Sequence, residues 1–310
     1  EMKNLGLVIV DEQHRFGVNQ RLKLLKKGWN PHFLAMTATP IPRTLSITYH
    51  GDMDLSIIDE LPKNRLPVVT KVVEPSRLSR IYAFIKKEVA SGRQCMIIYP
   101  LVEESQKSDL AAAVEAHQEL NKNVFPDLNV GLVHGRMKSE EKDRVMLDFA
   151  SNKIQVLIST TVIEVGVDIP NATVMVIEHA ERFGLTQLHQ LRGRVGRGTD
   201  KSYCILVRRN ITETAQSRLE IMEETNNGFL IADEDLKLRG PGEFFGIKQS
   251  GFFQFKIANM ITDGPIIRDA RKAAFKLIEN DPDLQESQHR LLREIFLQEY
   301  ADQLEMIALS

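Results

Sequence analysis

Hydrophobic positions along this chain fall into short unbroken runs separated by helical periods. Leu5 to Val10 is a continuous apolar run that ends in Asp11 and Glu12, and His32 to Met36 is a second one. Runs of this kind suit parallel strands buried on both faces. Gln20 to Lys27, between them, carries a helical pattern. Two strands and one crossover leave both faces of such a sheet uncovered. Residues 1–62 are therefore expected to be the C-terminal remnant of a first domain, with the chain opening in mid-pattern.

Pro62-Lys63-Asn64-Arg65-Leu66-Pro67 is polar, bracketed by prolines, and reads as a linker. Beyond it the alternation is regular. Strands are expected at 68–73, 95–99, 130–133, 156–159, 174–177 and 203–207, and helices at 77–91, 109–120, 139–149 and 185–192. That order specifies a parallel sheet with helices on both faces, complete within residues 63–210. From Glu213 the pattern turns helical, with a helix at 214–224 and a short partner at 233–238. A glycine-dense stretch follows, Arg239 to Gly251, expected to be a mobile loop. Helices resume at Ile266 and break at Asp281-Pro282. Residues 211–310 form the third expected unit.

Composition narrows the partners little. The 310 residues hold 40 basic and 42 acidic side chains, so no global positive field advertises nucleic acid. Any such binding must come from a local surface. Cys95 and Cys204 stand apart in apolar runs, which points to buried reduced thiols and away from zinc or disulfides. No leader-like segment and no apolar run of membrane length is visible, so a cytoplasmic protein without a membrane partner is expected.

Polar residues of distinctive type follow several of the runs. A parallel strand ending in Asp-Glu puts both carboxylates at the sheet's C-terminal edge, where open α/β sheets bind ligands. In a nucleotide-hydrolysing site Asp11 would hold Mg²⁺, and Glu12 would orient and deprotonate the attacking water. Gln13 and His14 extend this into one motif, and the family resemblance given below implies a place for His14 beside the nucleotide. Thr37 and Thr39 follow the next strand at the same edge, where small hydroxyls can relay the state of the carboxylate site.

Thr160, Thr161, Glu164, Gly166 and Asp168 follow a later strand. Thr160 or Thr161 suits a nucleic-acid phosphate, and Gly166 and Asp168 would face the nucleotide. His134-Gly135-Arg136 ends the neighbouring run and adds a second candidate phosphate contact through His134 and Arg136. Gln190-Leu191-Arg192-Gly193-Arg194-Val195-Gly196-Arg197 is the most specific motif. The family resemblance given below implies a place for Gln190 at the nucleotide, while Arg194 and Arg197 suit arginine fingers that neutralise transition-state charge. A surface basic turn is the bland alternative for them. Lys201-Ser202 imitates the end of a phosphate loop, but Val195 and Asp200 occupy the places of its two glycines. No Gly-x-x-x-x-Gly-Lys-[Ser/Thr] loop occurs anywhere in the chain.

Asp11-Glu12-Gln13-His14, Thr37-Ala38-Thr39, Thr160 to Asp168 and Gln190 to Arg197 together resemble motifs II, III, V and VI of superfamily 2 helicases. The chain is more closely similar to the RecG branch, the bacterial ATP-dependent DNA helicases that remodel stalled forks. Thr37 to Leu45, Tyr99 to Ser105, Glu181 to Leu185 and Gly240-Pro241-Gly242-Glu243 carry that closer likeness. It implies an α/β fold: a partial first RecA-like domain, a complete RecA-like helicase domain, and a helical translocation module. It also implies ATP and Mg²⁺ as cofactors and branched double-stranded DNA, forks and Holliday junctions, as substrate.

Arg218 and Gln249 match characteristic positions of the translocation motif, and their coupling role rests on the resemblance alone. The N-terminal wedge, the phosphate-binding lysine loop and the rest of the first motor domain have no counterpart here. The chain is accordingly expected to be a C-terminal portion, inactive as an ATPase by itself. The alternatives are a transcription-repair coupling translocase, which shares the arginine motif, and a non-catalytic DNA-binding module.

Overall fold

The computed structural model describes residues 4–12, 20, 23–24, 26–28, 31–38, 56–60, 62, 65–100, 106–160, 169–210, 212–244 and 263–308. Only the backbone is described for 106–109, 239–244 and 300–308. The chain divides into two compact units: Glu1–Pro42 with Ile57–Gly240, and Arg43–Ser56 with Pro241–Ser310.

In the first unit, β1 (Leu7–Asp11) and β2 (His32–Met36) form a two-stranded parallel sheet in register from Leu7↔His32 to Asp11↔Met36. Gln20, Lys23 and Leu24, in the crossover between them, are helical. Strand period decides burial: Val8 and Val10 point inward, while Leu7 and Ile9 stand 53% and 56% exposed. On β2, Leu34 and Met36 are exposed as well. One face of this sheet is thus apolar and open.

The second sheet is built from β3 (Val69–Val73), β4 (Gln94–Tyr99), β5 (Val130–Val133), β6 (Val156–Thr160), β7 (Ala172–Ile177) and β8 (Tyr203–Val207). Its six strands run parallel in the order β3-β8-β7-β4-β6-β5. Successive residues on each strand enter opposite cores. Met96, Ile98, Leu157, Met175 and Leu206 pack with Met146 and Phe149 of α3 (Ser139–Ala150) and with Leu185, Leu188 and Leu191 of α4 (Leu185–Arg192). Leu219 and Met222 of α5 (Glu213–Glu224) and Ile231 of α6 (Gly228–Phe244) join the same core.

Cys95, Ile97, Val156, Ile158, Val174 and Val176 face the other way. They meet Ile81 and Ile85 of α1 (Leu78–Ala90), and Leu120 and Phe125 beyond α2 (Gln106–Glu119). Helices therefore cover both faces, as the alternation of runs and periods predicts. A π-helical turn, Leu120–Val124, extends α2 and lets both Leu120 and Phe125 reach the core, with Phe125 N donating to Leu120 O at 2.7 Å.

The region after β8 differs most from the sequence reading. Thr212 caps α5 by accepting Ala215 N. α6 begins well before the expected 233, because Asn227 Oδ1 accepts Phe229 N at 2.9 Å and Ile231, Ala232 and Leu236 bury one face of the helix. It also continues through Gly240-Pro241-Gly242 to Phe244, where a loop was expected. Glycine and proline bias a segment against helix without forbidding one near its end. Gln249 and the rest of the glycine-dense stretch lie outside the described residues. The change of character near residue 211 marks a change of element type and not the edge of the compact unit, since α5 is packed into the sheet's core.

The second unit contains α7 (Gly264–Asn280) and α8 (Arg290–Ala308). Between them Asp281 accepts Gln285 N and Glu286 N on its two oxygens, and its Oδ2 also meets His289 Nδ1 at 2.8 Å. This turn realises the break expected at Asp281-Pro282.

Candidate functional site

The first cluster sits at the C-terminal edge of β1 and β2. Parallel register sets Asp11 beside Met36, so Glu12 and Thr37 emerge side by side just beyond the strands. Thr37 Oγ1 donates to Glu12 Oε2 at 3.2 Å, and Glu12 N donates to Asp11 Oδ1 at 2.9 Å. Glu12 has φ of +50°, the left-handed region that a non-glycine residue adopts at a cost of about 1 kcal/mol. Hard, exposed carboxylate oxygens at a sheet edge fit Mg²⁺, so the donor set is chemically suitable. The structure thus brings Asp11, Glu12 and Thr37 together; His14 and Thr39 lie outside the described residues.

A second cluster occupies the C-terminal edge of β5 and β6. Register pairs Val133 with Ser159, and the next residues are His134 and Thr160. Thr160 is fully buried, and neither its Oγ1 nor His134 Nδ1 has a hydrogen-bond partner among the described residues. Orphaned buried polar atoms on adjacent strand ends are costly unless something occupies them. His134 N donates to Met137 Sδ, and Lys142 Nζ donates to Gly135 O at 3.0 Å, so a cation already leans over this turn. Burial, then Lys142 and Arg136, lower the His134 pKa. Arg136 is exposed beside it. Thr161, Gly166 and Asp168 fall outside the described residues.

The third cluster is α4 and the turn after it. Gly184 N donates to Gln187 Oε1, closing the start of the helix. Leu185, Leu188 and Leu191 bury its inner face, and Val195 anchors the following turn in the core. Gly196 has φ of +75°, and a Cβ there would stand 2.8 Å from Val68 Cγ2. Only glycine meets both conditions. This turn leaves Gln190 and Arg194 half-buried and Arg197 exposed, with Arg197 Nε donating to Gly193 O at 3.3 Å.

Arg218 is engaged internally: its guanidinium donates to Phe183 O at 3.0 Å and Glu181 O at 3.1 Å, tying α5 to the segment that precedes α4.

Sequence reasoning passed over Arg192. Its side chain is almost fully enclosed and donates to backbone carbonyls at the end of α5. A signal existed, because Arg192 lies seven places after Leu185, on the same buried stripe of the helix.

Comparison with known proteins is consistent across the chain. The profile of the helicase conserved C-terminal domain matches residues 76–199. That of "ATP-dependent DNA helicase RecG, domain 3, C-terminal" matches residues 225–301. The ATP-dependent DNA helicase RecG of Bacillus subtilis is 52% identical over 96% of this chain, and that of Synechocystis 55% identical over 91%. Over most of its length the chain is similar to the RecG helicases. It spans 44% and 34%, respectively, of those two relatives' length. A solved structure of RecG bound to a three-way DNA junction matches with TM-score 0.67 and 48% identity, covering 86% of this chain and 34% of that one. The DNA-bound helicase MrfA, at 20% identity and TM-score 0.53, shares the fold. Among the described residues no helix is long and apolar enough to cross a membrane.

Proposed function

We propose that this chain supplies the C-terminal motor portion of an ATP-dependent translocase on double-stranded DNA, one that remodels branched substrates such as stalled forks and Holliday junctions. The observation that supports this most is the 48% identity to RecG in complex with a three-way junction, maintained over 86% of the chain. Within that reading, Asp11 would hold Mg²⁺, which neutralises phosphate charge when bound. Glu12 takes the proton of the attacking water and is oriented by Thr37. Arg194 and Arg197 face the nucleotide from the second domain, with Gln190, His14, Gly166 and Asp168 beside it. His134, Arg136, Thr160 and Thr161 hold the DNA backbone, the orphaned Thr160 hydroxyl being satisfied by a phosphate oxygen. Arg218 acts in coupling and not in DNA contact, since its guanidinium is engaged with backbone carbonyls. Gln249 is assigned to coupling by family likeness alone.

The open apolar face of β1 and β2 is covered, in this reading, by the remaining strands and helices of a first motor domain in the same protein. That domain also brings the phosphate-binding loop, and an N-terminal wedge brings fork recognition. The chain by itself is then inactive as an ATPase, and its parent is a bacterial cytoplasmic enzyme. The transcription-repair coupling alternative is weaker, because residues 225–301 match the profile described for RecG domain 3.

In a full-length protein carrying this chain, Glu12→Gln should lower DNA-stimulated ATP turnover about 10²- to 10⁴-fold while nucleotide binding persists. Unchanged turnover would remove Glu12 from the base role. Junction-stimulated hydrolysis by the 310-residue chain alone would overturn its dependence on an absent phosphate loop.

A further inference from the structure

The glycine before Arg197 gives the arginine turn a soft joint. Gly196 sits at φ of +75°, and glycine populates a wide range of backbone angles at little cost. The peptide plane that joins Gly196 to Arg197 can therefore rotate cheaply unless something holds it. Such a rotation re-aims the Arg197 side chain while Val195, buried in the core, stays in place. On the far side, a Cβ at Gly198 would stand 2.9 Å from Pro170 O, and Arg93 Nη2 donates to Asp200 Oδ1 at 3.1 Å. Both ends of the turn are fixed, and the Gly196–Arg197 peptide lies between them.

A distant side chain grips that plane. Arg65 Nε donates to Gly196 O at 3.1 Å across 131 positions of sequence. Arg65 belongs to the polar segment 62–67, where its own N donates to Pro62 O at 2.9 Å and closes a turn. The chain then enters β3 against the same arginine turn: Val68 packs on Gly196, and Val69 N donates to Ser202 O at 2.9 Å. Arg65 is half-buried, and its charge is felt in α4, where burial, then Arg192, then Arg65 lower the His189 pKa. A guanidinium is planar, so its Nε–H has one direction and sets the direction of the carbonyl that accepts it. Val68 and Val69 already tie the segment down. Arg65 adds a bond to the one carbonyl whose orientation governs Arg197.

We propose that Arg65 is a positioning residue for hydrolysis: by holding Gly196 O it fixes the peptide ahead of Arg197 and so aims that guanidinium at the nucleotide. The inference rests on the motor reading of Arg197. Without the bond the plane samples several directions, and Arg197 is correctly placed for only a fraction of the time. Nucleotide binding is retained, and the chemical step slows.

The test uses a full-length protein carrying this chain and reads kcat and KM for ATP with a DNA junction present. Arg65→Met keeps the apolar stem and loses the donor. It should lower kcat about 10- to 100-fold with KM within about twofold of the parent, because misplacing a catalytic group acts on the rate. Arg65→Gln discards the charge but keeps an N–H donor at the Nε position, and should hold kcat within about threefold. The deciding measurement repeats Arg65→Met in an Arg197→Ala background by single-turnover hydrolysis. With no guanidinium left to aim, the added change should cost less than about twofold. An unchanged kcat in Arg65→Met, or the same loss in both backgrounds, overturns the proposal and leaves Arg65 a structural tie. If Arg65→Met does not fold, Arg65→Lys, whose nitrogen lies one atom farther out, replaces it in both backgrounds. Unchanged hydrolysis in Arg197→Ala alone is a different failure: it defeats the motor reading of Arg197, and the proposal with it.

Discussion

The two parallel sheets of this protein are written in the same alphabet and end in opposite states. Leu7 and Ile9 of β1 belong to an apolar run as continuous as that of Cys95 to Ile98 in β4. Yet Ile9 is 56% exposed and Ile97 only 1%. The difference lies in the layers, not in the strands. β4 is flanked by β7 and β6, with helices over both faces, whereas among the described residues β1 pairs with β2 alone. An apolar run states a demand for burial, and only neighbouring elements can meet it. The chemistry follows the same division. The Glu12–Thr37 contact sits on the open sheet, while the Arg194 turn is held by buried Val195 and by Gly196 on the closed one.

The sharpest break of this comparison is a truncation at each centre. Ile97→Ala should destabilise the chain by about 2–5 kcal/mol, since it opens a cavity in a closed core. Ile9→Ala should change it by less than about 0.5 kcal/mol in the same urea titration. Equal costs would mean that the β1–β2 face is covered in solution. In a full-length protein with a complete first domain, the Ile9→Ala cost should rise toward the Ile97 value.

A smaller effect probes the closed sheet through pH. Burial, followed by the charges of Arg192 and Arg65, pushes the His189 imidazole from 6.5 down to about 4. The fold therefore holds the neutral form, and protons bind the unfolded chain first. Stability from this group is complete above pH 6.5 and is lost as pH falls toward about 4, by a total of about 3 kcal/mol. Urea midpoints measured across that window should decline for the parent and decline less for His189→Gln. Identical slopes would mean that the fold does not hold His189 neutral.

Much of this was legible in the sequence, for reasons that are local. His32–Met36, Val130–Val133, Leu185–Arg192 and Tyr203–Val207 have the bounds that their hydrophobic runs and periods indicate. Their side chains need nothing beyond their neighbours to declare strand or helix. Asp11 and Glu12 at a strand end, and the glycines around Arg194, were equally readable, because ligand edges and tight turns follow from chain direction and backbone freedom. α6 was misread at both ends. Its start depends on Asn227 capping and on Ile231 and Leu236 meeting a distant core, and neither is visible in a glycine-rich string.

What the chain alone determined is thus the strand and helix alternation, the family motifs and the residues offered for nucleotide chemistry. Periodicity and residue type are properties of neighbours in sequence. Only the tertiary structure decided that Arg192, one residue from the glycine that opens the arginine turn, is buried on α5 carbonyls 30 and 33 positions away. It also decided that Thr160 and His134 end side by side, with polar atoms that have no partner among the described residues, and that one apolar sheet is closed while the other stands open. Each of these is a relation between distant segments, and its energy exists only once the layers have met.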